Sequence, residues 1–333
     1  MLLAKFKYEI SLIFKLHMTQ IFGVVTRMYV FHVSDRLLTQ RVGQAIVEFD
    51  RNSNKSVVFL AKDAHVVASY TGRAYLDGIP TDTFIARSLL GMSLPQSGAF
   101  ISVGRPQSWT DIGRSVERLR QELSCAFQRL TINERSMDFQ ISILGWRQRQ
   151  TRNKRFTPVV LEIRRAANSQ SHEFQIIRHQ RWWGWYKGYC LSYIPNVPQL
   201  SILEWMRNQF RGAGSKPPEE FKNILIEGLR RCFEAQPDTI GQACLQITLK
   251  PTAPHAQIHF IPNLRSPTGL SNGGMGYSPW IIAPPWAFAP AIIRGRGGWT
   301  LGPTGYSWVV EGATAGKSSH SSQRRPADPQ GRR

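Results

Sequence analysis

The stretch Thr19-Gln-Ile-Phe-Gly-Val-Val-Thr26, followed after a break at Arg27 by Tyr29-Val-Phe-His-Val33 and then Ser34-Asp35-Arg36, carries the fold reading. β-Branched and aromatic residues fill both runs, and the polar break between them suits an antiparallel hairpin. Downstream, a polar loop at 50–55 precedes two further strands at 57–61 and 65–70, and Gly72 closes a turn. The spacing predicts a helix over about 81–90. A second helix is better marked. Thr110 or Asp111 supplies a cap, and Ile112, Val116, Leu119, Leu123 and Phe127 form one apolar stripe for packing on a sheet.

Strands are expected again at 139–144, 159–163 and 174–177, with a basic loop at 147–155 between the first two. Pro217-Pro218-Glu219-Glu220 opens another helix, because proline and acidic residues suit the first turn; its apolar face is Phe221, Ile224, Leu225, Leu229 and Phe233. Strands at 243–249 and 257–261 follow. Strands grouped in hairpins, with helices grouped between them, imply α+β layering instead of alternating βαβ units. The expected organisation is a leader or over-extended start at 1–18, a main domain at 19–262, a Gly/Pro/Trp-rich extension at 263–312, and a disordered basic tail at 313–333.

The 333 residues contain 42 Lys+Arg and 22 Asp+Glu, a net charge of +20 that attracts polyanions or acidic substrates. Part of it is local, since residues 317–333 hold five basic residues and one acid. Cys125, Cys190, Cys232 and Cys244 have no metal-ligand spacing and read as reduced thiols. No stretch reaches the roughly 18 apolar residues that span a bilayer. The expectation is a cytoplasmic protein with no membrane contact, no cofactor and no metal. There is no Gly-rich phosphate fingerprint and no Ser or Cys nucleophile motif. His255 and His259 share a strand region without a third ligand beside them.

Residues 18–72 narrow the reading. Thr19 opens the first strand; Asp35 stands 35 − 19 = 16 residues on, within Ser34-Asp35-Arg36; Lys55 opens the next strand; Thr71-Gly72 ends the one after it. This order resembles the N-terminal nucleophile hydrolases, and among them the proteasome-type β subunits and their bacterial relatives. Leu144-Gly145-Trp146 is similar to a Gly-Trp strand ending of that family, and Asp238-Thr-Ile-Gly241 to its Asp-x-x-Ser-Gly segment, with Gly241 in place of the Ser. The likeness runs over roughly 19–262 in element order, with sharp matches at a handful of positions. It implies a four-layer αββα sandwich of two antiparallel sheets. The implied site is Thr19, Asp35 and Lys55, with the Gly72 N–H as oxyanion donor and Asp238 in support. The implied activity is cleavage of an amide or peptide bond through an acyl-enzyme, in a chain that can form homo-oligomers.

The chemistry explains the set. A hydroxyl is a weak nucleophile without a base. Once Met18 is removed, Thr19 bears its own α-amine, with a reference pKa of about 7.7–8.0, which can take the hydroxyl proton near neutral pH. Lys55 keeps that amine unprotonated through its charge, and Asp35 holds Lys55 in place. Met before Thr suits aminopeptidase trimming, whereas processed family members carry Gly there. Two other readings stand beside this one. The chain can be an inactive scaffold or assembly subunit of the same fold. It can also bind nucleic acid through Arg181, Trp182, Trp183, Trp185 and Lys187, where cations alternate with flat rings.

Overall fold

The computed structural model describes residues 19–26, 28–42, 45–50, 53–94, 101–135, 138–148, 156–165, 171–179, 189–194, 200–211, 216–251, 256–265, 275–290, 292–294, 297–302 and 305–310. The leader, the aromatic-basic run at 181–188, the loop at 149–155, His255 and the tail lie outside them.

In chain order the elements are β1 (Ile21–Thr26), β2 (Val30–Asp35), β3 (Leu38–Val42), β4 (Ala45–Asp50), β5 (Ser56–Leu60), β6 (Ala64–Thr71), β7 (Tyr75–Leu76), β8 (Ile79–Pro80) and α1 (Thr81–Leu90). Next come β9 (Ile101–Ser102), α2 (Ile112–Gln128), α3 (Ile132–Arg135), β10 (Gln140–Gln148), β11 (Phe156–Arg165), β12 (Phe174–Arg178) and β13 (Tyr189–Ile194). The rest are α4 (Leu200–Gln209), α5 (Pro218–Ala235), β14 (Cys244–Leu249), β15 (Ala256–Ile261), β16 (Met275–Tyr277), β17 (Trp280–Ala283), β18 (Trp286–Phe288), β19 (Ile292–Arg294), β20 (Gly297–Gly302) and β21 (Gly305–Val310). The chain is α+β and dominated by sheet.

The β1–β2 hairpin forms as its sequence suggests, and Thr26 builds its turn. The Thr26 Oγ1 accepts from the backbone N–H groups of Met28 at 3.2 Å and Tyr29 at 3.0 Å. The hairpin sits inside a seven-stranded antiparallel sheet ordered β13-β1-β2-β14-β15-β20-β21. An eight-stranded sheet runs β12-β11-β10-β6-β5-β17-β18-β9. All of its pairings are antiparallel except β5 with β17. The segment 263–312, read as an extension, thus adds strands to both sheets.

Alternate positions along a strand face different layers, and β1, β2 and β14 are buried on both faces. On one face of the eight-stranded sheet, Val57, Phe59, Val66, Ala68, Ile141 and Ile143 pack with Phe84, Ile85 and Leu89 of α1 and with Val116, Leu119, Leu123 and Phe127 of α2. Asp111 caps α2, its Oδ1 accepting from the Arg114 N–H at 3.1 Å. On one face of the seven-stranded sheet, Phe22, Val24, Phe31 and Val33 pack with Ile202 and Met206 of α4 and Phe221, Leu225 and Leu229 of α5. A third cluster joins the two sheets with no helix. Val25, Val30, Leu245, Ile247 and Ile258 come from one, and Val58, Val67, Leu144, Trp146 and Val160 from the other. Among the described residues no helix is long and apolar enough to cross a membrane.

Candidate active site

Asp35 ends β2 and Lys55 immediately precedes β5, so the two come from different sheets. They meet as a buried pair: the Lys55 Nζ donates to Asp35 Oδ1 at 3.1 Å and Oδ2 at 3.0 Å, and to the Leu37 carbonyl at 2.5 Å. Side-chain exposure is 1% for Lys55 and 0% for Asp35. All three ammonium protons therefore have acceptors. The Asp35 carboxylate also accepts three backbone N–H groups, from Gln20 at 2.9 Å, Leu37 at 3.2 Å and Gly241 at 3.1 Å. Burial draws the Lys55 pKa below the ordinary lysine value; Asp35 pulls it back up, and Arg36 adds to the lowering. A buried couple tolerates this desolvation only when each charge is fully paired and hydrogen-bonded, as here.

Thr19 is partly exposed and directly precedes Gln20. Gln20 is locked to Asp35 twice, since its N–H reaches Asp35 Oδ1 and its carbonyl accepts from the Asp35 N–H at 3.2 Å. The ladder pairs Ile21 with Ser34, so Thr19 falls level with Arg36, one step past the couple.

Gly72 follows the end of β6 on the same side. Its neighbour two residues back, Tyr70, donates its N–H to the Lys55 carbonyl at 3.0 Å. Gly72 has φ +107°, and a Cβ there would lie 2.3 Å from the Asp138 carbonyl oxygen. Conformation and space both require glycine.

Asp238 is exposed, in the turn after α5. The group from this turn that reaches the couple is instead the Gly241 N–H. A Cβ on Gly241 would stand 2.8 Å from the Leu37 nitrogen, so only glycine allows the approach.

Several site residues were not singled out from the sequence. Arg36 is 1% exposed, and its Nη1 donates to the Tyr277 carbonyl at 2.8 Å while its guanidinium lies 5.3 Å from the Phe260 ring centroid. Burial lowers its pKa to about 10, opposed by Asp50, Cys244, Asp35 and Asp82. Asn54 donates from Nδ2 to the Ser278 carbonyl, and its own carbonyl accepts from the Tyr70 hydroxyl at 3.0 Å. Asp82, at the start of α1, is pushed up to about 6 by burial.

A row of polar groups continues from the couple into the space between the sheets. Ser34 Oγ lies 3.5 Å from Ser56 Oγ, Ser56 is 3.1 Å from Ser69, and Ser69 is 2.7 Å from His32 Nε2. Burial holds His32 neutral by lowering its pKa to about 3.

Among the described residues no group of three or more His, Cys, Asp or Glu side chains could hold a metal; His259 lies in β15, and His255 lies outside them. The run carrying Arg181, Trp182, Trp183, Trp185 and Lys187 also lies outside the described residues. No protein-family model matches this chain, and no curated protein matches it.

Proposed function

We propose that the chain is an N-terminal threonine hydrolase with a four-layer αββα sandwich, cleaving an amide or peptide bond. The observation that carries the reading is the fully buried Asp35–Lys55 couple, hydrogen-bonded to the residue next to Thr19. Helices on the outer face of each sheet and an apolar cluster shared by both sheets support the layered fold.

The chemistry needs the chain to begin at Thr19. Its Oγ attacks the substrate carbonyl carbon while the hydroxyl proton passes to the α-amine. The Lys55 charge disfavours prior protonation of that amine. The C–O bond forms as the carbonyl π electrons move to oxygen, beside the Gly72 N–H, where one donor is worth about 3–4 kcal/mol. Collapse breaks the C–N bond, and the departing amine carries the proton away. Water then attacks the ester carbonyl carbon, giving its proton to the Thr19 α-amine; as the bond from that carbon to the Thr19 oxygen breaks, the amine returns the proton to the oxygen, releasing the acid and free Thr19.

The test is a chain produced with Met18 as its start and shown by mass spectrometry to begin at Thr19. A β-lactone or epoxyketone is expected to acylate or alkylate Thr19, and a chain retaining residues 1–18 is expected to stay unlabelled. Modification that persists in Thr19→Ala, or none in the trimmed wild type, sinks the assignment. A trimmed, folded and unlabelled chain is the outcome that favours an inactive scaffold.

A further inference from the structure

The residues that flank the couple in sequence converge on one distant segment. Arg36 follows Asp35, and Asn54 precedes Lys55. Both side chains are buried, and they donate to consecutive backbone carbonyls, Arg36 to Tyr277 and Asn54 to Ser278. The Asn54 Oδ1 has no hydrogen-bond partner among the described residues. Burying an amide with one end unsatisfied costs free energy, so the bond from its other end is held in spite of that cost.

Two residues further on, Trp280 anchors the segment. It is 1% exposed, and its indole N–H donates to Thr83 Oγ1 of α1 at 3.0 Å. Its backbone starts β17, which pairs in parallel with β5 so that Trp280 stands opposite Val57, two residues past Lys55. A lysine ammonium on a four-carbon stem is held only as well as its surroundings hold it. Here the residues flanking both members of the couple bond to one strand entry.

We infer that residues 277–283 belong to the reaction centre: the Tyr277 and Ser278 carbonyls, anchored by Trp280, are positioning groups that fix Arg36 and Asn54 and through them the Asp35–Lys55 couple. This rests on the Thr19 hydrolase reading. The segment acts as a strap, touching the reacting atoms only through the residues it holds.

The experiment compares the trimmed wild type with Asn54→Ala, Trp280→Ala and Trp280→Phe, the last keeping an aromatic ring while removing the indole N–H and part of the buried ring volume. Two readouts are taken on each folded protein: the rate of Thr19 modification by the β-lactone, and the titration of Lys55 followed through its 13Cε resonance. The alanine variants are expected to react about tenfold to a hundredfold more slowly, as displaced catalytic groups do. Their Lys55 is expected to titrate closer to an ordinary lysine as water reaches it. Trp280→Phe is expected to fall between them and wild type, and Asn54→Ser replaces Asn54→Ala if the latter does not fold. Variants that react within about twofold of wild type, with an unmoved Lys55 titration, overturn the inference. A wild type that is never modified, alongside variants whose Lys55 titration moves, overturns the Thr19 reading while supporting the strap's hold on the couple.

Discussion

The space between the two sheets has a polar half and an apolar half, built by the same alternating strand positions. Nearest the couple the facing positions are Ser34, His32, Ser56, Ser69, Ser142 and Ser192, with Ser142 and Ser192 joined at 3.0 Å. One step further along β2, β5, β6 and β10 they become Val30, Val58, Val67 and Leu144, joined by Val25 of β1. Gly23 lies at the junction, where a Cβ would fall 2.0 Å from the Leu144 Cδ1, so Leu144 occupies the room that a side chain on β1 would need. The two halves do different physical jobs. Aliphatic burial supplies a large and non-directional stabilisation. Hydroxyl contacts add little net free energy but hold only when donor and acceptor are correctly placed, so they fix how β2 and β5 meet. Geometry is set where the couple is, and cohesion is supplied where it is not.

The strongest way to break this division is Lys55→Met, which leaves the Asp35 carboxylate buried without its cation. A loss of about 3–5 kcal/mol in urea unfolding is expected, together with loss of Thr19 modification. In the apolar half, Leu144→Ala is expected to cost about 2–5 kcal/mol with the site's reactivity largely retained.

The pH dependence sharpens the comparison from the polar side. His32 has a pKa of about 3 in the folded protein against an ordinary 6.5, so between these values the unfolded chain binds a proton that the folded one does not. The stability contributed is full above 6.5 and falls on acidification at up to about 1.4 kcal/mol per pH unit. Asp82 works in the opposite sense: its folded pKa is raised to about 6 from 3.8, so its contribution is present below 3.8 and is lost as pH rises through 6. In an Asp82→Asn background, stability measured from pH 6.5 down to 5 is expected to decline, and adding His32→Asn is expected to flatten the decline. A slope unchanged by His32→Asn refutes the neutral histidine. The smallest effect is Ser142→Ala, about 1 kcal/mol; a cost as large as that of Leu144→Ala would erase the distinction between the halves.

Much of the architecture was legible because it is local. The stripe from Ile112 to Phe127 with Asp111 before it, and the Pro217–Glu220 helix start, appear where periodicity and capping put them. The helix at 200–209 and the β3–β4 hairpin between Asp35 and Lys55 were not read out, and they carry weaker local patterns. The short C-terminal strands escape for another reason. β17 exists because it pairs with β5, and neither composition nor period marks a partner so far away in the chain.

The site divides in the same way. Asp35 and Lys55 were legible through their order after Thr19. The Gly241 N–H was masked by Asp238, the more conspicuous group in the same turn. Arg36 and Asn54 meet carbonyls 241 and 224 positions downstream, a pairing that side-chain identity does not advertise.

Parallel pairing of β5 with β17 also orders events in time. During synthesis the first fifth of the chain emerges with Thr19, Asp35 and Lys55 already present, and β6 soon follows on one side of Val57, but the strand on its other side, β17, is not complete until residue 283. A sheet whose neighbours lie so far apart closes late, because loop closure precedes the contacts that reward it. A nascent chain therefore carries Asp35 and Lys55 through most of elongation before the carbonyls of Tyr277 and Ser278 exist to hold Arg36 and Asn54 on either side of them.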